Sequence, residues 1–532
     1  MAPRLWVLTG TPGTGVRKSL SKFVEHCKKN GGRIEWRSID DPLKKLAAPH
    51  VKRLFGLPDE SAIGPLLLPR AFLRELWRQA LQKTFDGEAG LPGVDSLLGG
   101  GSDVLLTFHL CYFHHGTREY LVPADFDAFS ERLAGRATCV ITLIDDIYDS
   151  HNRLSRGGGV FNPPRSADEA MIDALTVLTW RSNEMLVSDS LARVCKLPHF
   201  VFAVKHPVDT FHDVLYSEKQ KVYLSHPITE PREMARTRGV AEARLAVEEL
   251  NRVLARLQSR CVVLEPTSID EQRFVPTQEN RKIFKGNLDH RWPFVEDRRH
   301  LLYVPPASPS GTWRFPWGWN QDQRPPIERS PLTEALQNAI AKQINARDHT
   351  LVEQSDYVVA WRPICDGHES GGVKEELEHV SRLITLGCRA PSAVVYCPPE
   401  DRKKFPSRYL WEQAIPAWRR SNLVMGDEQD FKKLEAALQS EAVPQLAEVL
   451  RGNSNALIQM TEDFGLRIIP QPDTKLARGT LGPTEVAHRD DAASGISQDF
   501  VKDVTPYLDK LRKEGHSIEF ENEKLFFDRL QC

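Results

Sequence analysis

No run of apolar residues in this sequence approaches the roughly 20 that a membrane-spanning helix needs, so no integral membrane protein is expected. Cysteine is sparse and scattered: nine residues, from Cys27 to Cys532, with no CxxC pair. That spacing excludes a structural zinc cluster and the framework of a small secreted disulfide protein, and it points to reduced, buried thiols in a cytoplasmic protein. Neither sign of charge is in excess. Lys and Arg number 70 against 72 Asp and Glu, a formal charge of −2, which speaks against a broad electrostatic grip on nucleic acid. What is present is ordinary globular material, 41% hydrophobic and 27% charged. At 532 residues the chain is long enough for roughly two to four domains, each with its own core.

Residues 5–8 read as a buried strand that runs into GTPGTGVRKS, residues 10–19, and then into a helix. Strand, glycine-rich turn and helix, followed by a basic residue and a hydroxyl, resemble the P-loop of nucleotide-binding proteins. The resemblance implies that Gly10, Gly13, Gly15, Arg17, Lys18 and Ser19 bind ATP or another NTP with Mg²⁺. The spacing departs from GxxxxGKS, because Val16 and Arg17 stand between Gly15 and Lys18. Two extra residues turn the lysine away from the phosphates unless the loop bulges. Further strand-like runs at 33–39, 104–110, 139–144 and 200–204 alternate with helical segments, the pattern of a doubly wound parallel sheet. The run CVITLIDD closes on Asp145-Asp146, and an apolar strand ending on an acid resembles a Walker B element, with Asp145 as the candidate Mg²⁺ ligand. This half resembles the P-loop kinase and ATPase superfamily. His109, His114 and His115 do not have the spacing of a zinc pair.

The pattern then begins again: a strand at 221–224, a long helix, a strand at 261–264, and a strand at 357–360 that leads through Ser370-Gly371-Gly372 into a helix. KVYLSHPIT, VVLEPTS and the later RD, SDYVVA and SGGVKEEL blocks resemble the nucleoside 2-deoxyribosyltransferase family and its relative, 2′-deoxynucleoside 5′-phosphate N-hydrolase. The resemblance covers residues 219–445 and implies a small flavodoxin-like fold that cleaves or exchanges the N-glycosidic bond of nucleosides or nucleotides. Carried over residue by residue, it implies Glu376 as nucleophile, Asp348 as the acid at the leaving base, and Tyr223 as the residue that positions the nucleophile. Ser225, His226, Ser370, Gly371 and Gly372 fall where substrate is bound; His226 replaces a smaller residue. The resemblance also implies a homo-oligomer.

The chemistry asks for two carboxyl groups on its own account. Breaking a C–N glycosidic bond builds positive charge on the sugar and negative charge on the base, so one carboxylate belongs under the sugar and one acid at the base. Glu375, Glu376 and Glu378 crowd together, and the register from Ser370 favours Glu376 as the inward residue. The expected architecture is therefore α/β, with two doubly wound parallel-sheet domains. Residues 1–218 form a P-loop NTPase-like or kinase-like domain. Residues 219–445 form a deoxyribosyltransferase-like domain with an insertion at about 269–330 that holds Trp313, Trp317 and Trp319. Residues 446–532 form a linker and a mostly helical tail. The expected function is a nucleotide or nucleoside N-glycosidase coupled to an NTP-binding domain, with a small nucleotide as substrate. Two alternatives remain open: a nucleoside or nucleotide kinase with a regulatory second domain, and a nucleotide-sensing effector that depletes NAD or nucleotides in defence.

Overall fold

A computed structural model describes residues 3–269 and 331–396, apart from short stretches at 57–63, 89, 115–116, 156–159, 162–166, 229, 232–233, 235–239, 366–367 and 387. Beyond them it describes the strand residues 424–425, 456–460, 466–470 and 518–520. The chain is α/β and divides into two compact units, 1–216 with 267–346, and 217–266 with 347–532. The tryptophans of the expected insertion lie outside the described residues.

In the first unit β1 (Leu5–Gly10), β2 (Ile34–Ser38), β3 (Asp103–Thr107), β4 (Ala137–Ile144) and β5 (His199–Ala203) form one sheet in the order β2-β3-β1-β4-β5. Every pairing is parallel. All six residues of β1 are buried, as expected of a central strand covered on both faces by helices. Helix α1 (Val16–Lys29) buries Leu20, Phe23, Val24 and Cys27, the i, i+3, i+4, i+7 stripe that packs a helix on a sheet. The same unit contains α2 (Asp40–Phe55), α3 (Arg70–Asp86), α4 (Ile147–Leu154), α5 (Ala167–Val194) and α6 (Val208–Tyr216).

One buried acid ties the carboxyl ends of β1 and β3 to α5. Glu184 accepts hydrogen bonds from the backbone N–H groups of Gly10 (3.3 Å), Leu110 (2.9 Å) and Cys111 (2.7 Å). One turn earlier on the helix, the Trp180 indole donates to the Cys111 carbonyl at 2.6 Å. Three N–H donors that would otherwise be orphaned are thereby satisfied by one side chain.

The second unit has its own parallel sheet, built from β6 (Lys221–Ser225), β7 (Val262–Leu264), β8 (Tyr357–Trp361), β9 (Ser392–Tyr396) and β10 (Val424–Met425) in the order β7-β6-β8-β9-β10. Its described helices are α7 (Val240–Gln258), the end of α8 (Pro331–Glu353), and α9 (Gly371–Thr385). Asp356 fixes the register of the central pair. Its carboxylate accepts from the Lys221 N–H at 2.9 Å, and its own N–H donates to the Lys221 carbonyl at 2.8 Å.

The C-terminal residues depart from expectation. Where a mostly helical tail was expected, the described residues are strands: β11 (Ala456–Met460), β12 (Leu466–Pro470) and β13 (Ile518–Phe520) form a three-stranded sheet. Ile468 and Ile469 stand next to each other in β12, and β-branched residues suit a pleated surface better than a helix. A five-residue strand is too short for its period to stand out in a sequence.

Burial pushes the Glu184 carboxyl up to about 8 despite its three N–H donors. The folded form therefore holds a proton that the unfolded form has lost. Its stabilising effect is complete below the ordinary glutamate range and fades as pH rises through about 8. Denaturant melts should show stability falling between about pH 5 and about pH 8, with a shallower fall in Glu184→Gln. Glu184→Leu, which strands all three donors, should lose at least ~2 kcal/mol at any pH in that range.

Candidate functional site

Tyr223 and Ser225 are two residues apart on β6 and so point to the same face of the sheet. Both hydroxyls donate to one acceptor, the Glu376 carboxyl on α9. Tyr223 Oη reaches Oε1 at 2.5 Å, and Ser225 Oγ donates to Oε2. Glu376 is buried and its neighbour Glu375 is exposed, so the helix turns the second glutamate toward the sheet. The reason is periodic: Val373, Glu376, Leu377 and Val380 share the buried stripe of α9.

Asp348 comes from the last turns of α8, which in this unit buries Arg347, Asp348, Leu351 and Val352. The Arg347 guanidinium forks onto Asp348 Oδ1, with Nε at 2.9 Å and Nη2 at 2.8 Å, and Nη2 also donates to the Pro266 carbonyl at 3.3 Å. The charge on Asp348 is felt at the other carboxyl. Glu376 is pushed up to about 8, first by burial and then by Asp348, while the donors Ser225 and Tyr223 and the Arg347 cation pull the other way. Burial likewise drives the Tyr223 hydroxyl well above its ordinary range, with the two acids adding to it, so it remains a donor. The helices that carry Asp348 and Glu376 meet again at a stacked pair of imidazoles, His349 and His379, with ring centroids 4.0 Å apart. His379 Nε2 is 2.8 Å from Glu353 Oε1.

The remaining expected binding residues make varied contacts. Ser370 Oγ donates to Glu230 at 3.3 Å. Gly371 and Gly372 are the first residues of the helix rather than a turn before it. Both are exposed, and a Cβ on either would meet no atom within 4 Å, so space adjoins the first turn of α9. His226 is buried, its Nδ1 3.2 Å from the Pro227 carbonyl. Arg347 was not assigned a role from the sequence, although it stands beside Asp348 in the RD block.

The glycine-rich turn of the first unit is arranged otherwise than its motif suggests. Gly13 and Gly15 have φ of 90° and 77°, values that favour glycine. Arg17 does not face the turn: it ion-pairs with Asp41, and its guanidinium lies 5.9 Å from the Trp36 ring centroid. Lys18 is exposed, and Ser19 continues α1 with its N–H on the Gly15 carbonyl at 3.1 Å. The cation at the turn is Arg153 of α4, which donates to the Gly13 carbonyl. A Cβ at Gly15 would meet three atoms of the same guanidinium at 3.3 to 3.7 Å.

Asp145, the expected Mg²⁺ ligand, already holds two cations. Arg153 Nη2 is 2.8 Å and Lys205 Nζ 3.4 Å from its oxygens, and Lys205 also reaches Asp149 at 2.6 Å. Burial opposes the charge on Asp145, but Lys205 and Arg153 outweigh it and hold the carboxyl below its ordinary range. A divalent ion placed there would meet each cation at about 4 Å, a repulsion of ~4 kcal/mol per pair of unit charges in a partly screened site. These residues do not fit a metal. Among the described residues, no group of three or more His, Cys, Asp or Glu side chains is arranged to hold one. Arg153 and Lys205 lacked a motif: Lys205 stands just after β5, where charge interrupts an apolar run, but Arg153 lies in the last turn of α4.

No known protein family matches the chain. No curated protein matches it either. Among solved structures it is similar to an uncharacterized protein from Eubacterium ventriosum ATCC 27560, with 12% identity over 40% of this chain and 95% of that one, at a TM-score of 0.19. Among the described residues, no helix is long and apolar enough to cross a membrane.

The geometry at Glu376 sets a measurable titration. Infrared difference spectra against Glu376→Gln should show a carboxyl that titrates near pH 8. In Tyr223→Phe, which removes a donor that favours the charged form, the midpoint should rise by about one unit.

Proposed function

We propose that the second unit is an N-glycosidase of the nucleoside 2-deoxyribosyltransferase type, acting on a nucleoside or nucleotide by hydrolysis or transfer. The observation that carries this reading is the Glu376 carboxyl, buried and bonded on both oxygens by the Tyr223 and Ser225 hydroxyls. The strand order β7-β6-β8-β9-β10 supports it, being that of flavodoxin-like doubly wound sheets, which bind ligands at the carboxyl ends of their strands. Ser225 is the last residue of β6, at such an end.

In this mechanism ionised Glu376 attacks the anomeric carbon as the bond to the base breaks and the bonding pair leaves with the base. A glycosyl ester on Glu376 results, and water or a second base resolves it. Tyr223 and Ser225 hold both carboxylate oxygens, so the attacking atom is positioned before substrate arrives. Asp348 orients the departing base. To protonate that base it must first take up a proton and release Arg347, because a guanidinium fork binds the charged carboxylate. We assign the protein to a homo-oligomer, as such enzymes form.

For the first unit we infer a P-loop-like phosphate-binding domain. Its strand order, with the glycine-rich turn following central β1, supports that reading. Arg17, ion-paired with Asp41, and a metal on Asp145, which already holds two cations, do not serve it.

Incubation with a panel of nucleosides and nucleotides, with released bases identified by mass spectrometry, should give turnover that Glu376→Gln abolishes while leaving the melting temperature unchanged. Undiminished release in that variant would remove Glu376 from the chemistry. Because the attacking form is the ionised one, kcat/KM should rise with pH up to about 8 and then level off. A rate that falls across that interval would assign the proton-bearing form of Glu376 instead.

A further inference from the structure

Two buried carboxyl groups of the second unit act on each other, and their partners differ in kind. Glu376 is held by two neutral hydroxyls, Tyr223 and Ser225, whereas Asp348 is held by a cation, with Arg347 Nε at 2.9 Å and Nη2 at 2.8 Å from the same oxygen. We propose that Arg347 is a positioning residue that decides which of the two acids carries a proton: while its guanidinium is forked on Asp348 the proton stays on Glu376, and when the fork is withdrawn the proton passes to Asp348 and leaves Glu376 ionised. Where the proton sits is a property of the empty protein; its use in catalysis rests on the glycosidase reading of Glu376.

The hydrogen-bond inventory points to this division. A guanidinium only donates, so a fork on Asp348 asks for the charged carboxylate and leaves no acceptor for a proton placed there. A hydroxyl both donates and accepts, so Tyr223 and Ser225 can serve Glu376 with or without its proton. Arg347 is also buried and donates to the Pro266 carbonyl at 3.3 Å, which holds its guanidinium from a second side.

Charge acts in the same direction. Asp348 raises Glu376 more than Arg347 lowers it, so the ion pair as a whole holds the proton on Glu376. Take the cation away and Asp348 is a buried carboxylate without it, a group that takes up a proton rather than stay charged. Asp348 then no longer opposes the ionisation of Glu376, which gives up its proton at a lower pH although a nearby cation has been lost. The sign is diagnostic, because a cation that acted on Glu376 alone would on removal drive it the other way. Glu265 and His226, which follow β7 and β6, are buried at the same end of the sheet, and both stay unaltered in the variants below. In the proposed reaction the exchange turns a protonated nucleophile and a charged aspartate into an ionised nucleophile and an acid ready for the departing base. The pair holds one proton before and after.

Infrared titration of the full chain with isotope-labelled glutamate, each variant set against the same variant carrying Glu376→Gln, follows the Glu376 proton whether or not a substrate turns over. In Arg347→Gln the midpoint should fall by at least about one unit from its wild-type value of about 8. Arg347→Lys, which keeps the charge, should hold it within about half a unit of wild type. Asp348→Asn should lower it as well, and Arg347→Gln added to that variant should now raise it, since only the direct pull of the cation is left to lose. A midpoint that rises in Arg347→Gln alone would overturn the role given to Arg347. Should that variant fail to fold, Asp348→Asn decides: a midpoint held near 8 would show that Asp348 carries no charge for Arg347 to maintain. Where nucleotides are turned over, the rise of kcat/KM with pH should move with the Glu376 midpoint. Absence of turnover in the wild type would remove the glycosidase reading, and the spectra would still decide where the proton sits.

Discussion

A carboxyl group buried with no cation bonded directly to it, and held by two hydroxyls, is an expensive arrangement, and the second unit is built around one. Glu376 can be tolerated in the interior because Tyr223 and Ser225 satisfy both of its oxygens and because it can carry a proton. That requirement fixes much of the local structure. Tyr223 and Ser225 must be two apart on a strand, the strand must lie inside the sheet, and α9 must present Glu376 and not Glu375. The β6–β8 pairing, clamped by Asp356, and the packing of α8 on α9 through His349 and His379 supply that rigidity.

Three buried acids in this chain meet the same penalty in three ways. Glu184 takes backbone N–H donors from three residues, and burial still pushes it up to about 8. Glu376 takes two hydroxyls and lies near the charge of Asp348, with the same outcome. Asp145 takes Arg153 and Lys205, and is held below its ordinary range although it is wholly covered. Full charges at 2.8 and 3.4 Å outweigh desolvation, whereas neutral donors do not. The three acids are thereby suited to different tasks: Glu184 ties strand ends to a helix, Glu376 can change protonation near neutral pH, and Asp145 stays charged and holds cations.

How much of this was legible in the sequence follows from the range of each interaction. The parallel strands were, because buried β-strands such as 5–10 and 137–144 are continuous apolar runs bounded by polar residues. The inward register of Glu376 was legible too, since counting from Ser370 along a helix is local. The arrangement at the glycine-rich turn was not. Arg153 and Lys205 lie 138 and 190 residues beyond Gly15, and only the order in which the strands stack brings them there. Arg17 stands next to the turn in sequence, yet its side chain pairs with Asp41 and lies by Trp36. The short C-terminal strands were misread for a different reason: five residues are too few for a strand period to stand out, although Ile468 and Ile469 suit one.

The pairing of Arg347 with Asp348 shows how adjacency in sequence can still conceal a role. On a helix, neighbouring side chains diverge by about 100°, so consecutive residues seldom share a partner. Here both are buried, and Arg347 folds back to reach Asp348 and the Pro266 carbonyl together. That carbonyl belongs to the segment directly after β7, so the arginine ties the acid to the edge of the sheet as well as pairing with it. An aspartate held this way is a fixed charge, and its negative charge raises the energy of ionising Glu376. In the proposed reaction a developing sugar cation near both carboxyl groups would reverse that effect, since it is attracted to both. In the proposed N-glycosidase, the arrangement would disfavour a charged Glu376 in the empty site and favour it where positive charge builds on the sugar.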